Sequence, residues 1–403
     1  MIMGVFEELR DFFDSKKTEP TSSENQKNQM IKSETKNKNN IFVAQIDQIP
    51  QTIVFNLISR QKKQHYEKNN LLSLTDAEQL TDENISKNKS ENASAFIDGG
   101  SSEIIGASTF SLQQLRVAVI EYVGIQRIGI KRKDFFCLAK IKDLDKIKIK
   151  FEALDAVIEN KSDLEQELII TAGDISTKRE DDRIYGVETY ARKAISSARR
   201  LLELKAVISE LKSQSKPALS LVVLDGALDY INEEEKKVIK NIRSLAMEKN
   251  ILVLGISKTS TAYCGNGIPV GMFLSKEAES RNIVLPWIYF GIETDSELNT
   301  YAGFIKFSET SKNFVFRIDY FSEQKELLKN KEIVDILRKQ STDAVFSGYP
   351  YGLIEADEEA RITNGEIEEA YAQLMIVSGD KWDELQKASS SVNAHSILDS
   401  IKF

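Results

Sequence analysis

Histidine and cysteine are nearly absent from this chain of 403 residues, which has two of each. Cys137 and Cys264 cannot build a disulfide framework or a four-thiolate zinc site, and so sparse a thiol content points to a reducing compartment. His65 and His395 stand too far apart in sequence to make a local metal motif. Long hydrophobic runs are missing too: stretches such as LSLVVL at 219–224 fall far short of a bilayer span. The opening MIMGVFEELRDFF carries acids where a signal peptide needs bases, so a cytoplasmic protein with no membrane partner is expected. There is no GxxxxGKS/T phosphate loop, which argues against a P-loop ATPase. Positive charge is not in excess either. With 54 Lys+Arg against 62 Asp+Glu the net charge is −8, which excludes a uniformly basic coat but leaves room for a basic groove inside an acidic shell.

What is present is the composition of a soluble globular protein, 41% hydrophobic and 29% charged, with length for two or three folding units. Residues 1–94 differ from 95–403. Stretches 14–40 and 80–94 are rich in Lys, Asn, Ser and Glu and hold almost nothing to fill a core, so they read as flexible linkers. Between them, 41–61 is apolar enough to dock as a strand or short helix, and residues 5–13 have the spacing of a short amphipathic helix.

From residue 95 the pattern tightens. SAFIDGG (94–100) reads as a strand running into a Gly-Gly turn, followed by strands over 103–111 and 114–124, an antiparallel meander. Alternating Ile and Lys over 127–135 and 146–154 marks a sheet with one wet, basic face. Helical spacing covers 178–212, and Pro217 follows its end. LSLVVLDGAL (219–228) and ILVLGISKTS (251–260) read as strands buried on both faces, separated by a helix over 232–250 that opens on an Asn cap. The order predicts a mixed α/β sheet covered by helices. Later segments predict a hairpin (302–308 with 312–322), a helix over 322–340, and an apolar turn at 346–357 leading into a helix. Residues 261–286 read as a loop or lid.

Three acids fall at telling places on that scaffold. Asp98 is expected at the end of the first strand, Asp225 at the end of the first buried strand, and Glu188 on the intervening helix. Carboxylates gathered at one sheet edge repel one another unless a cation holds them. Hard oxygen ligands without His or Cys select Mg²⁺ or Mn²⁺, and a pair of such ions is the standard device for displacement at phosphorus. Each Asp-Gly taken alone is equally a common turn, and Glu188 alone a solvated helix face. Lys258, just after the second buried strand, is read either as a contact to a scissile phosphate or as a strand-end lysine. The stripe of Lys131, Arg132, Lys133, Lys142, Lys146, Lys148 and Lys150 either tracks a DNA backbone or merely keeps a sheet face soluble. Tyr349 and Tyr351 either stack on an unpaired base or pack the loop around Pro350. Both cysteines read as small core residues.

The segments AFIDGGSS (95–102), DRIYGVETYARK (182–193), LVVLDGAL (221–228), LGISKTS (254–260), FRIDYFS (316–322), SGYPYGLIEAD (347–357) and VNAHSILDSI (392–401) together resemble the NurA-type nucleases. That resemblance implies a ribonuclease H-like core, a three-strand antiparallel meander plus parallel strands. It implies manganese (or Mg²⁺) on Asp98, Glu188 and Asp225. It also implies a toroidal homodimer that works with a hexameric HerA-type translocase, resecting DNA ends by cutting single strands 5′ to 3′ and internally. Two positions depart from the family pattern. Asp357 stands where a His is common, offering a further metal oxygen but no neutral-pH acid or base, and Ala227 replaces a common Ser. The stretch IDGGSSEIIGAS also resembles the first phosphate hairpin of actin/sugar-kinase-like ATPases, but no second adenosine-binding turn follows. A non-catalytic DNA clamp is the third reading.

Overall fold

In the computed structural model the described residues are 9, 52–57, 60–65, 71–73 and, from 92 to 390, all but 108, 144–145, 154–189, 214–216, 266, 284–285, 308–313, 343–345 and 347. The strands are β1 Thr52–Leu57, β2 Arg60–His65, β3 Leu71–Ser73, β4 Ala93–Gly106, β5 Phe110–Val123, β6 Gln126–Asp143, β7 Lys146–Ala153, β8 Leu219–Asp225, β9 Leu252–Ser257, β10 Ala262–Cys264, β11 Trp287–Asp295, β12 Thr300–Lys306 and β13 Phe316–Phe321. The helices are α1 Tyr190–Lys212, α2 Glu233–Lys249, α3 Val270–Ser280, α4 Lys331–Gln340, α5 Tyr351–Ala360, α6 Asn364–Ser378 and α7 Trp382–Ser390.

Ten strands form one sheet in the order β3-β11-β12-β13-β9-β8-β4-β5-β6-β7. Toward one end of it β4, β5 and β6 make an antiparallel meander, as expected in kind, though the segments 94–100 and 103–111 expected as two strands fall largely into β4 and 127–135 into β6. On its other edge β4 pairs in parallel with β8, and β8 in parallel with β9. This is the ribonuclease H-like mixed sheet. Of the first 94 residues, β3 adds an edge strand against β11, and β1 pairs with both β2 and β10 in a small second sheet.

Helices cover both faces, and strand periodicity decides which residue meets which helix, because successive side chains alternate across the sheet. Ala95 and Ile97 of β4 and Val222 and Leu224 of β8 join a core with Leu201, Leu204 and Ile208 of α1 and Ile239 and Ile242 of α2. Phe96, Val223 and Leu254 join the opposite core with Val334 and Leu337 of α4 and Leu353 and Ala356 of α5. Each such fully buried Val, Leu, Ile or Phe side chain contributes about 1.5–3 kcal/mol of burial free energy. The expected Asn cap holds: Asn232 accepts from the Glu235 amide at the start of α2. Both cysteines are buried.

Several boundaries differ from expectation. The Gly-Gly after Asp98 is not a turn, since β4 runs straight through it to Gly106. A Cβ on Gly99 would meet the Glu203 side chain at 2.6 Å, and one on Gly100 would meet the Ala360 carbonyl oxygen at 2.0 Å. The two glycines are flat places where helices on opposite faces approach one strand, so Asp98 sits inside β4 rather than at its tip. The expected lid over 261–286 contains β10 and α3. The expected helix over 322–340 is two 3-10 turns followed by α4. Strand β11 escapes simple alternation because its ladder shifts register at Gly291, whose φ is +62°. Of the expected 178–212 helix, 178–189 lie outside the described residues.

Candidate metal centre

The parallel ladder between β4 and β8 ends at the pair Ile97↔Leu224. The next residue on each strand is an aspartate, Asp98 and Asp225, so the register itself sets the two side by side. Both follow residues that face the α1 core, so both carboxylates turn to the α5 face. There α5 brings up Asp357, one residue beyond Ala356, which packs in the core beneath. Asp98, Asp225 and Asp357 offer one oxygen each within 4.8 Å of one another. Sequence reasoning had two of these as metal ligands and the third as an added oxygen. Glu188, the expected third ligand, lies outside the described residues.

One cation is already seated among them. The Lys258 ammonium, carried just past the end of β9, lies 2.8 Å from Asp225 Oδ2 and 3.2 Å from Asp357 Oδ1. Arg361, at the C-terminal end of α5, donates to the other oxygen of Asp357, Oδ2, at 3.1 Å. Tyr349 donates its hydroxyl to Asp225 Oδ1 at 3.1 Å. Among the described residues, Asp98 accepts only from the amide of its neighbour Gly99, at 2.7 Å.

The electrostatics follow from those partners. Burial, then the charges of Asp225 and Glu203, push the Asp98 carboxyl up to about 8, and the Gly99 amide and the Lys258 charge offset only part of that rise. Burial also raises Asp357, but Lys258 and Arg361 outweigh it and hold that carboxyl below its ordinary value. Burial raises the Tyr349 phenol, and the Asp225 charge adds to it, so the hydroxyl stays a donor. The cluster is therefore a nest of oxygens short of positive charge, most acutely at Asp98.

A carboxylate that the sequence reading passed over lies behind the strand. Glu203 of α1, 2% exposed, is held by Arg199 and Arg200. Arg199 also donates to the Gly99 carbonyl at 2.6 Å, and Arg200 to the carbonyl of Ala227, next after the Asp225-Gly226 turn. The signal for it was a Glu between Leu202 and Leu204 on the buried stripe of α1, with arginines three and four residues earlier.

Two residues expected as DNA contacts have internal partners. Tyr349 is fully buried between Phe316 and Phe346, so its ring is not offered to a base. Lys131 turns to the α1 face, where Glu210 at 2.8 Å and Glu121 at 3.1 Å engage it in an internal ion pair. Arg132, the next residue on β6, turns to the α5 face with half its side chain exposed, 3.6 Å from Glu359. Tyr351, in the first turn of α5, is the partly exposed tyrosine of the pair. The side chains of Lys142, Lys146, Lys148 and Lys150, and all of His395, lie outside the described ones. Among the described residues, no helix is long and apolar enough to cross a membrane.

No protein-family model matches the chain, and no curated protein matches it. Among solved structures it is similar to Ciona intestinalis endonuclease V in complex with a 24mer DNA containing an inosine followed by a ribo-adenosine. That similarity has 11% identity over 75% of this chain and 94% of the other, at a TM-score of 0.32. A variant of the same enzyme with a 23mer DNA gives 12% identity over 73% and 95%, at a TM-score of 0.33. Human ENDOV gives 9% over 70% and 87%, at a TM-score of 0.32. Overlaps this loose place no residue, and the chemistry of the site rests on its own geometry.

Proposed function

We propose that this chain is a divalent-metal-dependent DNA nuclease whose ions are held by Asp98 and Asp225, with Asp357 as the third carboxylate. The observation that carries the reading is the convergence of three carboxylate oxygens within 4.8 Å, two of the carboxylates sharing a single ammonium. The donor set fits the group: hard oxygens with no His or Cys suit Mn²⁺ or Mg²⁺, and the Lys258 ammonium marks where positive charge is favoured. When bound, such an ion supplies Lewis acidity toward a phosphodiester and activation of a water nucleophile.

The chain's own residues do the rest. Asp98 gives up its proton to hold a cation, which the charge-poor nest favours. Tyr349 fixes the Asp225 carboxylate through Oδ1, and the Lys258 ammonium occupies Oδ2, the oxygen an ion would take over. Lys258, at the exposed lip, is placed to meet a phosphate oxygen. Arg132 and Tyr351 lie on the same face and extend the strand-binding surface. The resemblance to NurA-type nucleases supplies the finer terms: single-strand 5′ to 3′ and internal cutting during end resection, a manganese preference, Glu188 as a helical ligand, a homodimer, and a HerA-type hexameric ATPase as partner.

The test is cleavage of single-stranded DNA by the purified protein with Mn²⁺. Asp98→Asn and Asp225→Asn are each expected to lower the rate by on the order of 10²–10³. Equal cleavage by wild type and either variant would overturn the assignment. Metal-dependent DNA binding with no cleavage by the wild type would make the protein a clamp instead.

A further inference from the structure

The geometry points to a latent phosphate subsite made by Lys258 and Arg361, closed by Asp357 until a divalent cation takes that carboxylate. The inference rests on the metal reading above. It concerns a phosphodiester group of a nucleic-acid strand adjacent to the one at the ions, and it assigns Arg361 a role that sequence reasoning did not give it.

Asp357 is pinched between two cations, Lys258 on Oδ1 at 3.2 Å and Arg361 on Oδ2 at 3.1 Å, and Lys258 also reaches Asp225 Oδ2 at 2.8 Å. A divalent ion using those oxygens meets like charge from the ammonium, so the two compete for them. The lysine stem is 37% exposed and the arginine 68%, so both heads have solvent to move into. Released from the same carboxylate, they stand at one lip of the site. A guanidinium fork there matches two phosphate oxygens, and the ammonium adds a point charge.

The place of Arg361 is built from below. It ends α5 with an extended backbone (φ −68°, ψ 131°), and its carbonyl accepts from Arg116 at 2.9 Å. Arg116 is 3% exposed and is tied to Asp134 on β6 and to Glu366 in the capping box of α6. The backbone is anchored, and only the side chain is free to exchange partners. The carboxylate therefore couples two events: its cations are occupied while the site lacks metal and become available to a strand once metal arrives.

The test uses the full chain and two probes. The first is Mn²⁺ alone, followed by the electron paramagnetic resonance signal of the free ion. The second is a fluorescent phosphorothioate oligothymidylate, followed by anisotropy with and without Mn²⁺. Lys258→Met and Arg361→Gln are each expected to tighten Mn²⁺ binding by about three- to tenfold, because each removes a competing charge. With Mn²⁺ present, Arg361→Gln is expected to weaken the oligonucleotide by about tenfold and to reduce the salt slope by about one. Without Mn²⁺ it should change little, and Arg361→Lys should recover part of the loss. Unchanged or weaker Mn²⁺ binding in both variants, or an equal loss of oligonucleotide affinity with and without metal, would overturn the inference alone. A wild-type protein that binds no Mn²⁺ would overturn the metal reading beneath it as well.

Discussion

On the α5 side of the sheet rim three carboxylates face one lysine and one exposed arginine, while on the α1 side Glu203 and Asp319 are each sealed against arginines. Both groups pack against the same sheet, so the difference lies in compensation rather than burial alone. Asp319, fully buried on β13, has Arg317 at 2.7 Å, and its carboxyl is pushed by burial only to about 6. Asp98 is slightly more exposed yet reaches about 8, because burial there is joined by the charges of Asp225 and Glu203. Buried charge matched by internal arginines is architecture. Charge left unmatched at an accessible rim is capacity to bind a cation.

That contrast is most sharply tested by removing one positive partner from each side. Arg317→Met strands Asp319 in the core, and unfolding in urea should reveal a loss of about 3–5 kcal/mol. Lys258→Met leaves its carboxylates in contact with water and should cost no more than about 1 kcal/mol. If the two losses come out equal, the open side is as structural as the sealed side, and the division between them fails.

The second effect is on pH dependence without metal. Asp98 holds its proton more tightly folded than unfolded, so from pH 3.8 to about 8 the folded state binds more protons. Stability is therefore highest below that window and falls as pH rises through it, by at most about 1.4 kcal/mol per pH unit for this one group. Asp319, raised to about 6, contributes in the same direction but only over the lower part. Denaturant midpoints in EDTA should thus decline between pH 6 and 8 in wild type and flatten there in Asp98→Asn. Saturating Mn²⁺ should reverse the wild-type decline, because it binds the ionised carboxylate. A wild-type profile flat across that range would remove the unmatched charge from the account.

The meander was legible in kind, with β4 read as two strands, and the two parallel strands and the aspartates on β4 and β8 were legible because burial and alternation are written locally, as in LVVLDG and AFIDGG. The role of the glycines was not. Gly99 and Gly100 look like a turn until helices from residues 203 and 360 are known to press on them. Asp357 was visible as a departure from a family pattern, yet its meeting with Lys258 depends on α5 packing over Phe96, a contact between distant parts of the chain. Glu203 and Arg361 were missed because Gly99, which Glu203 packs against, comes near only after folding, and the Asp357 partner of Arg361 depends on the helix boundary at Ala360. Lys131 and Arg132 show the limit of composition most plainly: adjacent basic residues, one spent inside on Glu210, the other left on the face with the acids.

The smallest effect separates the two faces within a single dipeptide. A methyl on Gly100 meets backbone, the Ala360 carbonyl at 2.0 Å, so α5 itself has to shift and carry Asp357 with it. Gly100→Ala should lose about 1–3 kcal/mol and weaken Mn²⁺ binding together. A methyl on Gly99 meets the carboxyl end of Glu203 at 2.6 Å, a side chain that can yield against its arginines. Gly99→Ala should therefore lose less stability and keep most of its Mn²⁺ affinity. Should Gly99→Ala weaken Mn²⁺ as much as Gly100→Ala, Glu203 belongs to the ion's surroundings after all, and the sealed face is part of the site rather than its support.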